Sequence, residues 1–340
     1  MHEWYNYITK TSARENNTMN AEIITFDASV GDGNKIAGFF SETSDPSPKG
    51  VIQICHGMAD YFGRYGEMAD FFNRNGWHVC GMDMLGHGKT YELNRDRDMP
   101  LGFFGGTSDS AECILKDIMN MHFRAVERFC PDKRLPMVLY GHSMGSFVVR
   151  NIYITSSWAK EFDAFVFAST MGREPLVKLG LTLSGSFGVF GMKRKPGKLL
   201  NRIAFGAYNK RIEHPRTDFD WVSSEETEVI KYCEDPLAGF LFTCKGFNDL
   251  FTLIDRMQGK NAYMDASFAP VLITYGEDDP VAGYGKGARS VADIIAATGR
   301  DVTAINYGHY RHEIQNEPVR YKYFEDIIRF ADEKTGGKND

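Results

Sequence analysis

Met137-Val138-Leu139-Tyr140-Gly141-His142-Ser143-Met144-Gly145 is the stretch that decides the fold. Its first four residues are an apolar run of strand length, and residues 144–157 read as a helix. A G-x-S-x-G pentapeptide therefore joins a strand to a helix. The turn there is tight, so small residues must flank the serine. Its hydroxyl is then projected into the crevice at the carboxyl end of the sheet. Glycine and serine are common, so the pentapeptide alone is weak evidence, and an ordinary strand-to-helix turn is the competing reading. The strand before it and the helix after it favour a nucleophile.

Outward from this point, strands and helices alternate. Val51–Cys55 and Trp77–Met82 read as strands, with helices over 65–75 and 108–129. Phe165–Ala168 is a further strand, followed much later by Val271–Tyr275, a helix at 284–298, Val302–Ile305 and a helix at 318–331. Such alternation predicts an α/β fold with a mostly parallel central sheet and helices on both faces. Before it, strands at 22–28 and 34–40 flank Asp32-Gly33-Asn34, whose residues tolerate positive φ, so an antiparallel hairpin is expected at one edge. The Ser/Pro stretch at 44–49 is a connector. Between 171 and 262 the alternation stops: the segment is rich in Gly, Phe and basic residues and has no clean strand. We read residues 1–170 and 263–340 as the core and 171–262 as a helical cap insertion. The last residues, Thr335 to Asp340, are expected to fray.

Composition narrows the class. The 340 residues are 43% hydrophobic and 25% charged, with a formal net charge of −6. That balance argues against nucleic acid as a partner. The one dense basic run, Lys193-Arg194-Lys195, reads first as a solvated loop. None of the six cysteines forms a C-x-x-C pair, and Cys55 and Cys80 sit in apolar runs as reduced core thiols would. Met1 to Tyr5 lack a basic start followed by an apolar core, so no signal peptide is expected. No apolar run reaches membrane-spanning length. A cytoplasmic protein is expected, in which the glycosylation acceptor pattern Asn16-Asn17-Thr18 has no meaning.

A serine hydroxyl needs a base, and the base needs an orienting group. With the strand–serine–helix arrangement, acid and histidine are expected after the serine in chain order. Tyr275-Gly276-Glu277-Asp278-Asp279-Pro280 follows a strand, and a carboxylate there shares the edge of Ser143. Asp278 and Asp279 compete, and Asp279 is favoured, with Asp278 as a turn residue; helix capping is the plain alternative for both. Tyr307-Gly308-His309-Tyr310-Arg311-His312-Glu313 follows the last strand. His309 and His312 compete, and His312 is favoured. Their HxxH spacing has no third ligand cluster nearby, so metal is discounted. An oxyanion needs two fixed donors. The Met144 amide follows the nucleophile, and the loop after Ile54-Cys55-His56-Gly57-Met58 offers the Met58 amide. Asp83-Met84-Leu85-Gly86-His87-Gly88-Lys89-Thr90 nearly spells a phosphate-binding loop, but its first position is aspartate rather than glycine. It reads as a structural loop.

Together these blocks resemble the monoacylglycerol lipase, lysophospholipase and serine-aminopeptidase-like branch of the α/β-hydrolases. His56 to Tyr65 is similar to that branch's HG…RY block, Asp83 to Gly88 to its D-x-x-G-H-G block, and Gly141 to Gly145 to its GHSMG elbow. The resemblance spans 50–170 and 265–330. It implies the α/β-hydrolase fold, a triad of Ser143, Asp279 and His312, and Met58 and Met144 as oxyanion donors. It also implies that 171–262 is the cap that sets substrate choice. Thr90 stands where the branch usually has serine, and Ser146 where it often has glycine.

The expected reaction is cleavage of a carboxylic ester through an acyl-enzyme, with a lipid acyl ester as the small-molecule substrate and no cofactor or metal. Ten aromatics of the insertion, Phe187 to Phe251, could line an acyl site or pack the cap. Lys193 to Lys195 could draw a lysophospholipid phosphate, and the cap could touch a membrane surface or micelle transiently. An aminopeptidase or amidase, with Asp60 or Glu225-Glu226 for the substrate amine, a thioesterase, and a non-catalytic binding protein are the rival readings.

Overall fold

The computed structural model describes residues 21–336. The expectations for Met1 to Tyr5, for Asn16-Asn17-Thr18 and for residues 337–340 lie outside them. Among the described residues eight strands form one sheet: β1 (Glu22–Asp27), β2 (Lys35–Ser41), β3 (Gly50–Cys55), β4 (Trp77–Met82), β5 (Met137–His142), β6 (Ala164–Ala168), β7 (Val271–Tyr275) and β8 (Val302–Asn306). Their order is β1-β2-β4-β3-β5-β6-β7-β8. The first two strands are antiparallel to each other, and β2 is antiparallel to β4. All other pairings are parallel. The hairpin turns through Asp32 and Gly33 at positive φ, as their residue types allow.

The helices are α1 (Gly66–Arg74), α2 (Gly88–Leu93), α3 (Ser110–Phe129), α4 (Met144–Ile154), α5 (Val177–Val189), α6 (Lys198–Phe205), α7 (Glu226–Glu234), α8 (Cys244–Arg256), α9 (Lys286–Ala296) and α10 (Arg320–Thr335). A short helical turn covers Ser156–Ala159, and several 3-10 turns punctuate the loops. The region read only as a structural loop after β4 thus holds the short helix α2.

Strands β3 to β7 are buried at every residue, as parallel strands covered on both faces must be. Alternate residues feed two cores. Cys55, Leu139, Phe165 and Ile273 meet Ile114, Ile118, Phe147 and Val148 on one face. Ile54, Val138, Tyr140 and Leu272 meet Phe62, Phe72, Phe324 and Ile327 on the other. Each such fully buried large apolar side chain contributes about 1.5–3 kcal/mol. Between β6 and β7 no strand forms, apart from one isolated bridge of Pro196 with Thr243. There α8 lies against α3 and α4, and its Phe247, Leu250 and Leu253 belong to the same core as Ile114.

The topology locates the site. From β3 the chain steps outward to β4, then returns to the far side of β3 to form β5. This reversal opens a crevice beyond the carboxyl ends of β3 and β5, where ligands bind in open α/β sheets. The loops after β3, β5, β6, β7 and β8 all emerge at that rim.

All six cysteines are unpaired. Among the described residues no helix is long and apolar enough to cross a membrane, and no group of three or more His, Cys, Asp or Glu could hold a metal.

Candidate active site

Ser143 ends the β5–α4 turn with φ 53° and ψ −121°. A non-glycine residue held there costs about 1–3 kcal/mol. The surroundings enforce it. The Ser143 amide donates to the Ala168 carbonyl at 3.0 Å. The Ser143 carbonyl accepts from the Ser146 amide at 2.9 Å and from Ser146 Oγ at 2.6 Å. Ser146 thus gives the turn a side-chain bond that the glycine often seen in the resembling branch could not. A Cβ on Gly141 would strike the Gly145 carbonyl, and one on Gly145 would strike the Cys55 carbonyl. The two glycines are required by close backbone approach.

Of the competing acids and bases, the structure brings one pair inside. His312 Nδ1 lies 2.9 Å from Asp279 Oδ1, and both side chains are buried. The carboxylate also accepts from the Val281 amide at 2.8 Å. Asp278 and His309 are instead at the surface, 51% and 83% exposed, and face each other at 3.4 Å. This contact engages Nδ1 of His312 and leaves Nε2 as the ring nitrogen not held by Asp279. Its ring packs on Trp221 and His142, with centroids 5.0 and 4.8 Å away. Its backbone carbonyl accepts from Ser169 Oγ at 2.6 Å and from His142 Nε2 at 3.2 Å. Burial, and secondly His312 itself, pushes the His142 imidazole down to about 4, so it is neutral.

Ser143, His312, Met58 and Met144 line one cavity of about 470 Å³, while Asp279 stands behind His312. No hydrogen bond joins the Ser143 hydroxyl to His312 in this state. Among the described residues, neither the Met58 nor the Met144 amide has an intramolecular acceptor. Met144 is the first residue of α4, whose leading amides have no helical partner. His56 shapes the neighbouring loop. Its Nε2 accepts from the Met84 amide at 2.9 Å, so Nδ1–H donates to the Gly57 carbonyl at 2.8 Å. Gly57 fits tightly: a Cβ there would lie 3.2 Å from His142 Nδ1 and 3.4 Å from Ser143 Cβ.

A buried ion network that the sequence reading left unassigned ties these loops together. Arg64 Nη1 and Nη2 bond Glu313 at 2.8 and 2.7 Å, and Nη1 also reaches Asp60 Oδ1 at 2.9 Å. Asp60 further accepts from the Tyr65 hydroxyl at 2.8 Å. Burial alone would raise the Asp60 carboxyl, but Arg64 and the neighbouring histidines outweigh it and hold it at about 2. Asp60 is therefore no solvated surface acid. The Asp83 block is structural. Its carboxylate accepts from the Phe62 and Lys89 amides at 2.7 and 2.6 Å, while the Lys89 ammonium pairs with Glu92. Thr90 Oγ1 donates to the Asp83 carbonyl at 2.7 Å, doing what a serine there could also do.

The aromatics of segment 171–262 divide three ways. Phe205, Tyr208, Phe219, Trp221, Phe240 and Phe251 line the cavity. Phe242 and Phe247 are fully buried packing, and Phe190 is exposed. Leu250, Ile254, Val177 and Met171 complete an apolar wall.

Sheet order and the strained serine turn define an α/β-hydrolase. The chain belongs to the family described as serine aminopeptidase, S33, whose model matches residues 46–319. It is a hydrolase of the lipase and esterase type. It is 26% identical over 300 residues to a monoacylglycerol lipase of Mycolicibacterium smegmatis, covering 84% of this chain and 89% of that one. It is also 26% identical to the rat monoglyceride lipase, over 56% of this chain and only 53% of that protein. A thermostable carboxyl esterase from Bacillus coagulans, solved with glycerol, superposes with a TM-score of 0.85 at 25% identity, over 94% of this chain and all of the esterase.

Proposed function

We propose that the protein is a serine esterase that hydrolyses esters of apolar acyl chains, monoacylglycerols or lysophospholipids, through an acyl-enzyme. The observation that carries this reading is the buried Asp279–His312 pair at the rim where Ser143 is held in a strained turn. His312 takes the Ser143 proton as the hydroxyl attacks the ester carbonyl, forming the tetrahedral intermediate. Asp279 holds the imidazole tautomer and stabilises the imidazolium. The unpaired amides of Met58 and Met144 receive the oxyanion. His312 returns the proton to the leaving alcohol, and water then repeats the sequence on the acyl-enzyme. The serine–histidine bond missing here forms in the substrate complex, since such bonds are often loose before substrate binds.

Segment 171–262 acts as the cap. Its Phe205, Trp221, Phe240 and Phe251, with Leu250 and Ile254, supply an apolar wall fit for an acyl chain. The monoacylglycerol lipase name of the mycobacterial relative supports monoacylglycerols among these substrates. The aminopeptidase rival has less support. Asp60 is already engaged by Arg64 and Tyr65, and neither Glu225 nor Glu226 is among the cavity residues.

The test is a screen of p-nitrophenyl and glyceryl esters over acyl length, beside an aminoacyl anilide and an acyl thioester. Medium or long acyl esters are expected to lead, with Ser143→Ala inactive. Preference for acetyl esters alone, or for the anilide, would overturn the substrate class.

A further inference from the structure

Within segment 171–262, residues 219–239 are joined to both loops that carry the proposed chemistry. At one end they meet the histidine loop. Arg311 Nη1 donates to the Asp220 carbonyl at 2.7 Å and to the Ser223 carbonyl at 2.8 Å. The Val222 carbonyl accepts from the Glu313 amide at 2.7 Å. The buried Glu317 carboxylate accepts from the Ser224 amide at 2.8 Å, from the Ser224 hydroxyl, and from the Arg311 amide at 3.0 Å. His312 stands between Arg311 and Glu313, and its ring packs on Trp221 of the same segment.

At the other end they meet the loop after β3. The Gly239 amide donates at 2.9 Å to the carbonyl of Ala59, the residue after Met58. The Tyr61 hydroxyl donates to Asp235 Oδ2 at 2.7 Å. Arg64, which bonds both Asp60 and Glu313, lays its guanidinium 4.8 Å from the centre of the Tyr232 ring. Between the two ends the segment has a small core of its own. Val222, Tyr232 and Ala238 are buried together, with Phe219 and Trp221 packed against them. The Phe219 and Tyr232 rings lie 5.2 Å apart. A close-packed piece of this kind transmits strain instead of absorbing it.

We propose that residues 219–239 are a brace that fixes His312 relative to the Met58 amide, with Arg311 and Tyr61 as positioning residues at its two ends. The imidazole follows β8 and the amide follows β3, and β5, β6 and β7 lie between those strands. No strand pairing sets their separation directly. A misplacement of about 1 Å between reacting groups costs about a hundredfold in rate, so a rigid tie between the two loops acts on the chemical step. Among the described residues neither Arg311 nor Tyr61 lines the cavity. Their effect on substrate therefore passes through the groups they hold.

The inference rests on the esterase reading and concerns how its parts are held. Arg311→Gln and Tyr61→Phe are measured singly and together on a soluble p-nitrophenyl ester. Arg311→Gln is expected to lower kcat about a hundredfold and Tyr61→Phe about tenfold, with KM changed by less than about threefold, the sign of an interaction that acts in the transition state. Arg311→Lys keeps one donor atom for both carbonyls and is expected to recover most of the loss. A brace released at one end no longer holds at the other, so the double variant stays at about a hundredfold, whereas independent local losses would multiply to about a thousandfold. Ser224→Ala, which takes only an exposed hydroxyl from Glu317, replaces Arg311→Gln in the cycle should that variant not fold. Losses that multiply, a change confined to KM, or Arg311→Lys no better than Arg311→Gln would overturn the brace and leave the esterase reading intact. A wild type whose hydrolysis ignores Ser143→Ala would overturn that reading instead.

Discussion

At Asp279 and His312 a single hydrogen bond sets which imidazole nitrogen carries the proton. Replacing Asp279 by Asn puts an amide in place of a carboxylate and favours the other tautomer, with the proton on Nε2. The expected outcome is a loss of about 10⁴ in kcat with little change in KM, measured on a soluble p-nitrophenyl ester. A loss below tenfold would show that Asp279 does not orient the base. The two candidate acids adjoin in sequence, yet the turn after β7 sends Asp279 inward and Asp278 to solvent. Residue types alone could not separate them; the family spacing could. Ser169, which bonds the His312 carbonyl, left no local signal, because only the sheet brings positions 169 and 312 together. Arg64 and Glu313 are likewise joined across 249 positions, although each lies inside a recognisable block.

At the scale of elements, the β5–α4 junction rests on glycine. Gly145→Ala would push a methyl into the Cys55 carbonyl on β3, so β3 and α4 must part or the turn must unwind. Urea denaturation is expected to show a loss of several kcal/mol, with activity lost as well; a change within 0.5 kcal/mol would refute the required approach. Helix α3 offers a pH test. Asp117 lies within it, accepts from the Ser29 amide at 2.7 Å, and is pushed up to about 6 by burial. The folded state therefore holds this proton more tightly than the unfolded chain, whose aspartates titrate near 3.9. Its contribution is favourable below about pH 4 and is lost as pH rises through about 6. Asp117→Asn keeps an acceptor for Ser29 and never ionises. It should match the wild type near pH 4 and exceed it by about 2–3 kcal/mol at pH 7.5; equal stability at both pH values would contradict the assignment. The elements themselves were largely legible, because buried parallel strands are short apolar runs and α3 repeats Ile114, Ile118, Met121 and Ala125 on one side. The short helix α2 was hidden by a glycine-rich block whose job is to wrap the Asp83 carboxylate.

For the whole molecule, the question is what the residues between β6 and β7 place around Ser143. Their aromatics could not be sorted in sequence, since packing and lining residues share one composition; the fold divides them by which face of each helix meets the body. Phe251 stands at that division, packed on Gly180 and lining the cavity. Phe251→Ala should lengthen the apolar end and move the preferred acyl chain upward by about two to four carbons at roughly constant kcat for short esters. An unmoved chain-length profile would place the acyl chain elsewhere.

The central claim is that Ser143 is a nucleophile made reactive by His312. Fluorophosphonate labelling followed by peptide mass mapping measures it most directly. The account predicts one adduct per chain, on Ser143, formed rapidly in the native protein and lost in both His312→Ala and urea-unfolded protein. No adduct on the folded protein, or one whose rate ignores His312→Ala, would contradict it.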